Sequence, residues 1–329
     1  MTARANEEAS KQPYEAEYRG QRILVTGGAG FIGSHLVSKL VTLGADVTVV
    51  DSLSTGRESN LRAVRHAIEL RKMDMNVDGI QPLIAQGRFS VVFHLAGNAH
   101  VTRSVEEPAL DYERNVHATF HLLEALRTAA PTTKVVFSSF AVVYGEGAHV
   151  PIRESHPTAP VSPYGVGKLA CEHYIRVYSE LYGLRAASAR LFSIYGPRLR
   201  KQIVYDLMCK LRSNSDVLPM FGDGTQVRDM SHVQNAADAM LIIAARGKLN
   251  GECYNAASGE QVTMREVAVA ICREMGVDPV FQYSGQVRPG ETQAWYPDYT
   301  ALRDLGYETR IGLQQGLADT VAWFKAQPD

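Results

Sequence analysis

The chain has no uninterrupted run of about 18 apolar residues, the length a helix needs to cross a bilayer, so no membrane span is expected. It also lacks a surplus of positive charge. Lys and Arg number 34 against 35 Asp and Glu, a formal net charge of −1, which argues against a nucleic-acid partner. Cysteine is scarce, at positions 171, 209, 253 and 272, with no C-x-x-C pair. That spacing excludes the common zinc patterns and a disulfide framework, so no metal site is expected and the thiols are read as free. There is no internal repeat and no low-complexity tract. Residues 1–20 are polar and lack the apolar stretch of a secretory signal. They are expected to form a mobile arm, and the protein to be cytoplasmic.

What is present is an alternation of short apolar runs with longer amphipathic stretches, the pattern of βαβ units and a parallel sheet. Strands are expected at Ile23–Val25, Val47–Val50, Val91–Leu95, Val135–Ser138, Ala187–Phe192 and Tyr254–Ala256, in a set of six or seven. Helices are expected from Phe31 to Leu43, Pro108 to Ala130 and Ser162 to Tyr182, the last with Ser162 as cap and Pro163 in its first turn. The fold class is α/β: a Rossmann-type doubly wound parallel sheet with a smaller α/β C-terminal domain. Residues 21–192 form the dinucleotide-binding domain, and 233–257 return to it. Residues 193–232 and 258–329, broken by Gly196-Pro197, Phe221-Gly222-Asp223-Gly224 and Arg288-Pro289-Gly290, form the smaller domain.

Between the first strand and the first helix lies Thr26-Gly27-Gly28-Ala29-Gly30-Phe31-Ile32-Gly33. Glycines here permit the tight turn, the approach of backbone to a pyrophosphate, and close helix–strand packing. The helix N-terminus presents unpaired N–H groups to the phosphates. Asp51 ends the second strand about 20 residues on, where a carboxylate accepts ribose hydroxyls and repels a 2′-phosphate. The expected cofactor is therefore NAD. Asp74 is a candidate for the adenine amino group, and Leu95-Ala96-Gly97 ends a strand with small residues beside the cofactor.

Tyr164 and Lys168 stand at i and i+4, on one face of a helix. A phenol near pKa 10 is a poor base at neutral pH, but an adjacent cation, together with the positive nicotinamide of NAD⁺, stabilises the phenolate, so Lys168 and the bound cofactor are expected to lower the pKa of Tyr164.

With these residues in view the sequence resembles the extended short-chain dehydrogenase/reductase family, specifically its nucleotide-sugar epimerases and dehydratases. The likeness runs from Gln21 to Lys325 and includes Asp51-Ser52-Leu53-Ser54-Thr55-Gly56, His94-Leu95-Ala96-Gly97, Asn115-Val116, Ser138-Ser139, Val143-Tyr144-Gly145, Ser162-Pro163-Tyr164 with Lys168, Tyr195-Gly196-Pro197, and Gly222-Asp223-Gly224 with Gln226, Arg228 and Asp229. The resemblance implies a cofactor site of Gly27, Gly30, Phe31, Ile32, Asp51, Ser52, Leu53, Ser54, Thr55, Gly56, Asp74, Met75, Leu95, Ala96, Gly97, Asn115, Ser138, Tyr164, Lys168 and Phe192. It implies that Arg228 and Arg288 meet the diphosphate of a nucleotide sugar, where guanidinium forks suit phosphate oxygens. It also implies a homodimer, formed by the two long helices as a four-helix bundle.

Two positions depart from the family pattern. Phe140 stands where a catalytic Ser or Thr is usual, and Ser193 where Asn is usual in the substrate site. Ser139 is the nearest replacement hydroxyl, but in a regular strand it points to the opposite face unless a bulge re-aims it. The dehydrating and decarboxylating relatives use acidic residues at the positions of Ala141 and Val142, neither of which can move a proton. What remains is C4 epimerisation of a nucleotide sugar, with Tyr164, Lys168 and Ser139 as the candidate catalytic set. The alternatives are another nucleotide-sugar oxidoreductase or dehydratase, and a catalytically weakened binding protein.

Overall fold

The computed structural model describes residues 14–145, 149–286 and 293–327. The apolar runs become β1 (Arg22–Thr26), β2 (Asp46–Asp51), β3 (Ile68–Lys72), β4 (Val91–His94), β5 (Lys134–Phe140) and β6 (Ala186–Leu191). Further on come β7 (Ile194–Tyr195), β8 (Val217–Met220), β9 (Val227–Asp229), β10 (Ser231–His232), β11 (Asn250–Ala256), β12 (Gln261–Thr263), β13 (Val280–Tyr283) and β14 (Ala294–Trp295). Seven strands make one sheet in the order β11-β6-β5-β4-β1-β2-β3. Every pairing in it is parallel. The chain order reverses between β1 and β4, and in such sheets the crevice beyond the strand ends at that point takes the ligand.

Strand alternation distributes the core to both faces. Ile23, Val25, Val47 and Val49 face the helices Phe31–Thr42 and Val233–Arg246. Leu24, Val50, Val92 and Val135 face the helices Ala118–Ala129 and Pro163–Tyr182. The helix Pro163–Tyr182 begins as its sequence predicts. Ser162 Oγ accepts the Gly165 N–H at 3.2 Å, Pro163 occupies the first turn, and Gly183 closes the helix in the left-handed region. The 193–232 and 258–327 segments supply the small sheet β12-β9-β14, the pair β8–β13, and helices Gln202–Ser213, Met264–Met275 and Leu313–Lys325 around a separate apolar core.

Two expectations are corrected. The N-terminal arm is not free over residues 14–20. Tyr14 and Tyr18 are buried, their hydroxyls donating to Asp238 Oδ1 (2.7 Å) and the Leu241 carbonyl (2.5 Å). Two large aromatic rings at this spacing bury enough apolar area to tie the segment down. The stretch 108–129 is not one regular helix either. Pro108–Tyr112 and Ala118–Ala129 are joined by a wide π turn, Glu113–His117, which carries Asn115. Such turns free a carbonyl from the regular ladder. Here the Asn115 carbonyl accepts from Thr119 Oγ1 at 2.6 Å and from Cys171 Sγ at 3.6 Å.

Candidate active site

A cavity of about 830 Å³ lies beyond the C-terminal ends of β1, β4 and β5. The glycine turn forms one wall. Gly27 has φ +70°, and a Cβ there would lie 2.7 Å from the backbone of Leu95 and Ala96; a Cβ on Gly33 would lie 2.2 Å from the Gly27 carbonyl oxygen. Neither position admits a side chain. The helix Phe31–Thr42 starts at Gly30 without a side-chain cap, so its first amides point to the cavity unclaimed. Asp51 is held by the amides of Ala29 (2.9 Å) and Leu53 (2.8 Å), one on each carboxylate oxygen, and a Cβ on Gly56 would collide with it. Burial raises its pKa, and the two amides act against that rise. Uncapped amides facing a carboxylate across one cavity fit a dinucleotide.

Of the residues assigned to the cofactor from sequence, Gly27, Gly30, Phe31, Ile32, Asp51, Ser52, Ser54, Thr55, Gly56, Asp74, Met75, Leu95, Ala96, Gly97, Ser138, Tyr164, Lys168 and Phe192 all line the cavity. Asp74 also serves its own turn, its carboxylate accepting the Asn76 amide at 2.9 Å. Leu53 is not a wall residue: its amide holds Asp51 while its side chain packs on the core. Asn115 lies behind the wall, its Nδ2 donating to Asp111 and its Oδ1 against Gly97.

The reacting end is built by β5 and the helix Pro163–Tyr182. Tyr164 and Lys168 are each 3% exposed. Lys168 Nζ donates to the Ser138 carbonyl at 3.0 Å and lies 4.6 Å from the centre of the Phe137 ring. Burial pulls the Lys168 ammonium down to about 8, with Cys171, Asp111 and Glu172 acting in the opposite direction. Tyr164 moves contrary to expectation. Burial, reinforced by Asp111 and Cys171, drives its pKa well above the usual phenol range. The desolvation of a phenolate outweighs the attraction of a lysine that is itself turned toward a backbone carbonyl.

Ser139 is corrected as well. β5 pairs with β6 without a bulge, Ser138 opposite Ala189, Ser139 opposite Arg190 and Phe140 opposite Leu191. Ser139 therefore faces away from the cavity and donates to Glu172 Oε1 at 2.5 Å. It is one member of a buried network. Arg190 donates to both oxygens of Glu172 (2.7 and 3.0 Å), to Tyr144 Oη (2.9 Å) and to the Glu154 carbonyl (3.1 Å). Tyr144 donates to Asn255 Oδ1 at 2.6 Å. The network ties the helix bearing Tyr164 and Lys168 to β6 and β11. Phe140 does face the cavity, its ring centre 6.2 Å from that of Tyr164.

The smaller lobe closes the far side with Ser193, Arg228 and Trp295, the last stacked obliquely on Phe192 at 6.0 Å. Arg228 donates to the Val227 carbonyl at 2.9 Å. Arg288 falls outside the described residues. Reading the sequence missed Trp295, which reaches the cavity only because β14 pairs with β9. It also missed Arg198 and Lys201. The signal for these was the run of three cations, Arg198, Arg200 and Lys201, in the four residues after Gly196-Pro197. Arg198 Nη1 donates to Ser34 Oγ at 3.0 Å, and Lys201 Nζ to the Ala99 carbonyl at 2.7 Å.

A family model described as GDP-mannose 4,6 dehydratase matches residues 24–320. The chain belongs to that family. It is 35% identical over 308 residues to a putative UDP-glucose 4-epimerase of Methanocaldococcus jannaschii, covering 92% of this chain and 98% of the relative. Among solved structures, UDP-N-acetylglucosamine 4-epimerase from Methanobrevibacter ruminantium M1, in complex with UDP-N-acetylmuramic acid, superposes with TM-score 0.86 at 31% identity, covering 94% and 100% of the two chains. DesIV, a dTDP-glucose 4,6-dehydratase from Streptomyces venezuelae solved with NAD bound, superposes with TM-score 0.82 at 30% identity, covering 92% and 97%. The resemblance read from the motifs thus holds over the whole fold. The family contains both reactions, and both types of enzyme are among the relatives of this chain.

Proposed function

We propose that the protein binds NAD and catalyses C4 epimerisation of a nucleotide sugar, a UDP-hexose. The observation that carries this reading is that none of the described wall residues at the reacting end is a carboxylate. Ala141 and Val142 line the cavity where dehydrating relatives require acids. The carboxylates among its described wall residues are Asp51, Asp74 and Asp206. On this reading Asp51 and Asp74 serve the ribose and adenine, and Asp206 stands on the helix Gln202–Ser213 of the smaller lobe. Elimination of water across C5 and C6 needs a proton donor and a proton acceptor beside the sugar, whereas epimerisation needs one acid/base group.

Tyr164 is that group. It takes the proton from the C4 hydroxyl as the C4 hydrogen leaves as hydride, and returns it to the 4-keto sugar when hydride comes back to the opposite face. Bound NAD supplies the hydride acceptor and then the donor. Lys168, fixed by the Ser138 carbonyl, holds the nicotinamide ribose and stabilises the phenolate. Arg228 meets the diphosphate, and Ser193 and Trp295 bound the sugar. The test is incubation of purified protein with UDP-glucose, UDP-N-acetylglucosamine and UDP-glucuronate, with products read by NMR. C4 epimers support the reading. A 4-keto-6-deoxy product overturns it.

One observation favours a second reading. The Phe140 ring sits against Tyr164 in place of a hydroxyl, the arrangement of a protein that binds its ligands and turns them over slowly. Tight binding of NAD and UDP-sugar, with a turnover unaltered by Tyr164→Phe, is its signature.

A homodimer is part of the proposal. Tyr112 at the end of the short helix Pro108–Tyr112, and Tyr174, Leu181 and Tyr182 on the helix Pro163–Tyr182, are 40–69% exposed, apolar positions that a second copy would cover as a four-helix bundle. Light scattering checks it, and a monomer at micromolar concentration refutes it.

A further inference from the structure

The Tyr164–Lys168 reading leaves a buried anion beside the pair without a task. Asp111 is 1% exposed. It sits on the Pro108–Tyr112 turn, packed against the helix Pro163–Tyr182. A Cβ built on Gly167, next to Lys168, would lie 3.7 Å from Asp111 Oδ2. Its other oxygen accepts from Asn98 Nδ2 at 2.7 Å and from Asn115 Nδ2 at 3.0 Å. A carboxylate only accepts, so it turns both amides the same way. Their carbonyl oxygens are buried and have no partner among the described residues.

For stability alone this is a poor arrangement. It buries a charge, and it strands two acceptors that each cost free energy when unpaired. Asparagine occupies nearly the same volume, and its own NH₂ could satisfy one of them. The carboxylate therefore serves something other than packing.

Lys168 is the charge it can serve. From its own helix Lys168 meets Tyr164, Cys171 and Glu172; from β4, His94; from β5, the Ser138 carbonyl and the rings of Phe137 and Phe140. Glu172 is committed to Arg190. His94 lies between the hydroxyls of Thr26 and Thr119, with its pKa lowered to about 3 by burial, and is neutral. Burial raises the Cys171 thiol, which is neutral too. Asp111 is held by two neutral amides and, among the described residues, not by a cation of its own.

We propose that Asp111 is a positioning residue whose carboxylate is the counter-charge that keeps Lys168 an ammonium ion in a site closed to water. This rests on Tyr164 and Lys168 being the reacting pair. Asp111 is among the groups that raise Lys168 against burial; its direct effect on Tyr164 is opposite to what a base needs, since it raises the phenol as well.

The experiment compares wild type, Asp111→Asn and Lys168→Met by NAD⁺ calorimetry from pH 6 to 9 and by thermal melting. Wild-type affinity falls as pH rises through about 8. In Asp111→Asn the same fall comes about one pH unit lower, so affinity is roughly five- to tenfold weaker at pH 8–9 and near wild type at pH 6. A profile that superimposes on wild type overturns the proposal. So does lower melting with affinity lost equally at every pH, the mark of a packing residue. Lys168→Met gives a flat profile; if it keeps the alkaline fall, the Tyr164–Lys168 reading fails and this proposal with it. A flat Lys168→Met with an unshifted Asp111→Asn overturns this proposal alone.

Discussion

Replacing Phe140 by serine asks whether the phenyl ring hinders the proposed epimerisation. The backbone at 140 is extended, φ −141° and ψ 156°, and β5 keeps its register there, so a serine side chain at this position points into the cavity as the phenyl ring does. The new hydroxyl would stand beside Tyr164, whose ring centre is 6.2 Å from that of Phe140. One preorganised donor at a developing oxyanion is worth roughly a hundred- to a thousandfold in kcat. Against this stands the lost ring. Truncating a fully buried Phe costs about 3–5 kcal/mol, and Phe140 is half-buried, so about 1–2 kcal/mol is expected, a fall of a few degrees in melting temperature. The assay is NMR-monitored C4 epimerisation of a UDP-hexose at saturating NAD, with calorimetry on the same preparation. The expected result is a kcat gain of about a hundredfold with KM little changed. A folded Phe140→Ser protein with unchanged or lower kcat would refute the argument, because Phe140 would then be no lesion and the hydroxyl would come from elsewhere.

Three further outcomes follow from the same geometry. Glu172→Ala leaves the buried Arg190 guanidinium without its carboxylate and should cost about 3–5 kcal/mol, read by denaturant unfolding; a loss below about 1 kcal/mol would show that the network does not anchor the helix. Lys168→Met should stabilise the ligand-free protein while abolishing turnover. With a folded pKa near 8 against 10.5 unfolded, the buried charge costs stability on the order of 3 kcal/mol below pH 8, and this cost is relieved as pH rises toward 10.5. The gain from Lys168→Met, partly offset by loss of the bond to Ser138, should therefore be seen at pH 6–7 and fade by pH 10. Asp51→Ser should narrow the preference for NAD over NADP at least tenfold in competition binding, since it removes the charge that repels a 2′-phosphate; an unchanged ratio would move the discrimination elsewhere.

Sequence periodicity carried far in this protein because parallel strands and a phosphate turn leave local signatures. The six strands read from the sequence are present, and the strand preceding Asp74 completes the seven. Alternation also decided Ser139 against Phe140: without a bulge in β5, neighbouring residues must face opposite sides, and the two side chains do. What sequence could not supply was environment. The i, i+4 spacing of Tyr164 and Lys168 suggested a lowered phenol pKa, but spacing says nothing about how completely a pair is buried. Burial reverses the sign in the ligand-free protein. Asp111 was equally illegible, because one acid within a long amphipathic helix reads as a solvated face until the π turn at Glu113–His117 is seen. That turn and the neighbouring Asn98 bring two amides onto one carboxylate oxygen beside Gly167. The two observations bear on the same question. A phenol held so far above neutral pH needs positive charge close by to act as a base. On the proposed reading, turnover depends on positive charge at Lys168, and the service of Asp111 in preserving it has to outweigh its own direct raising of the phenol.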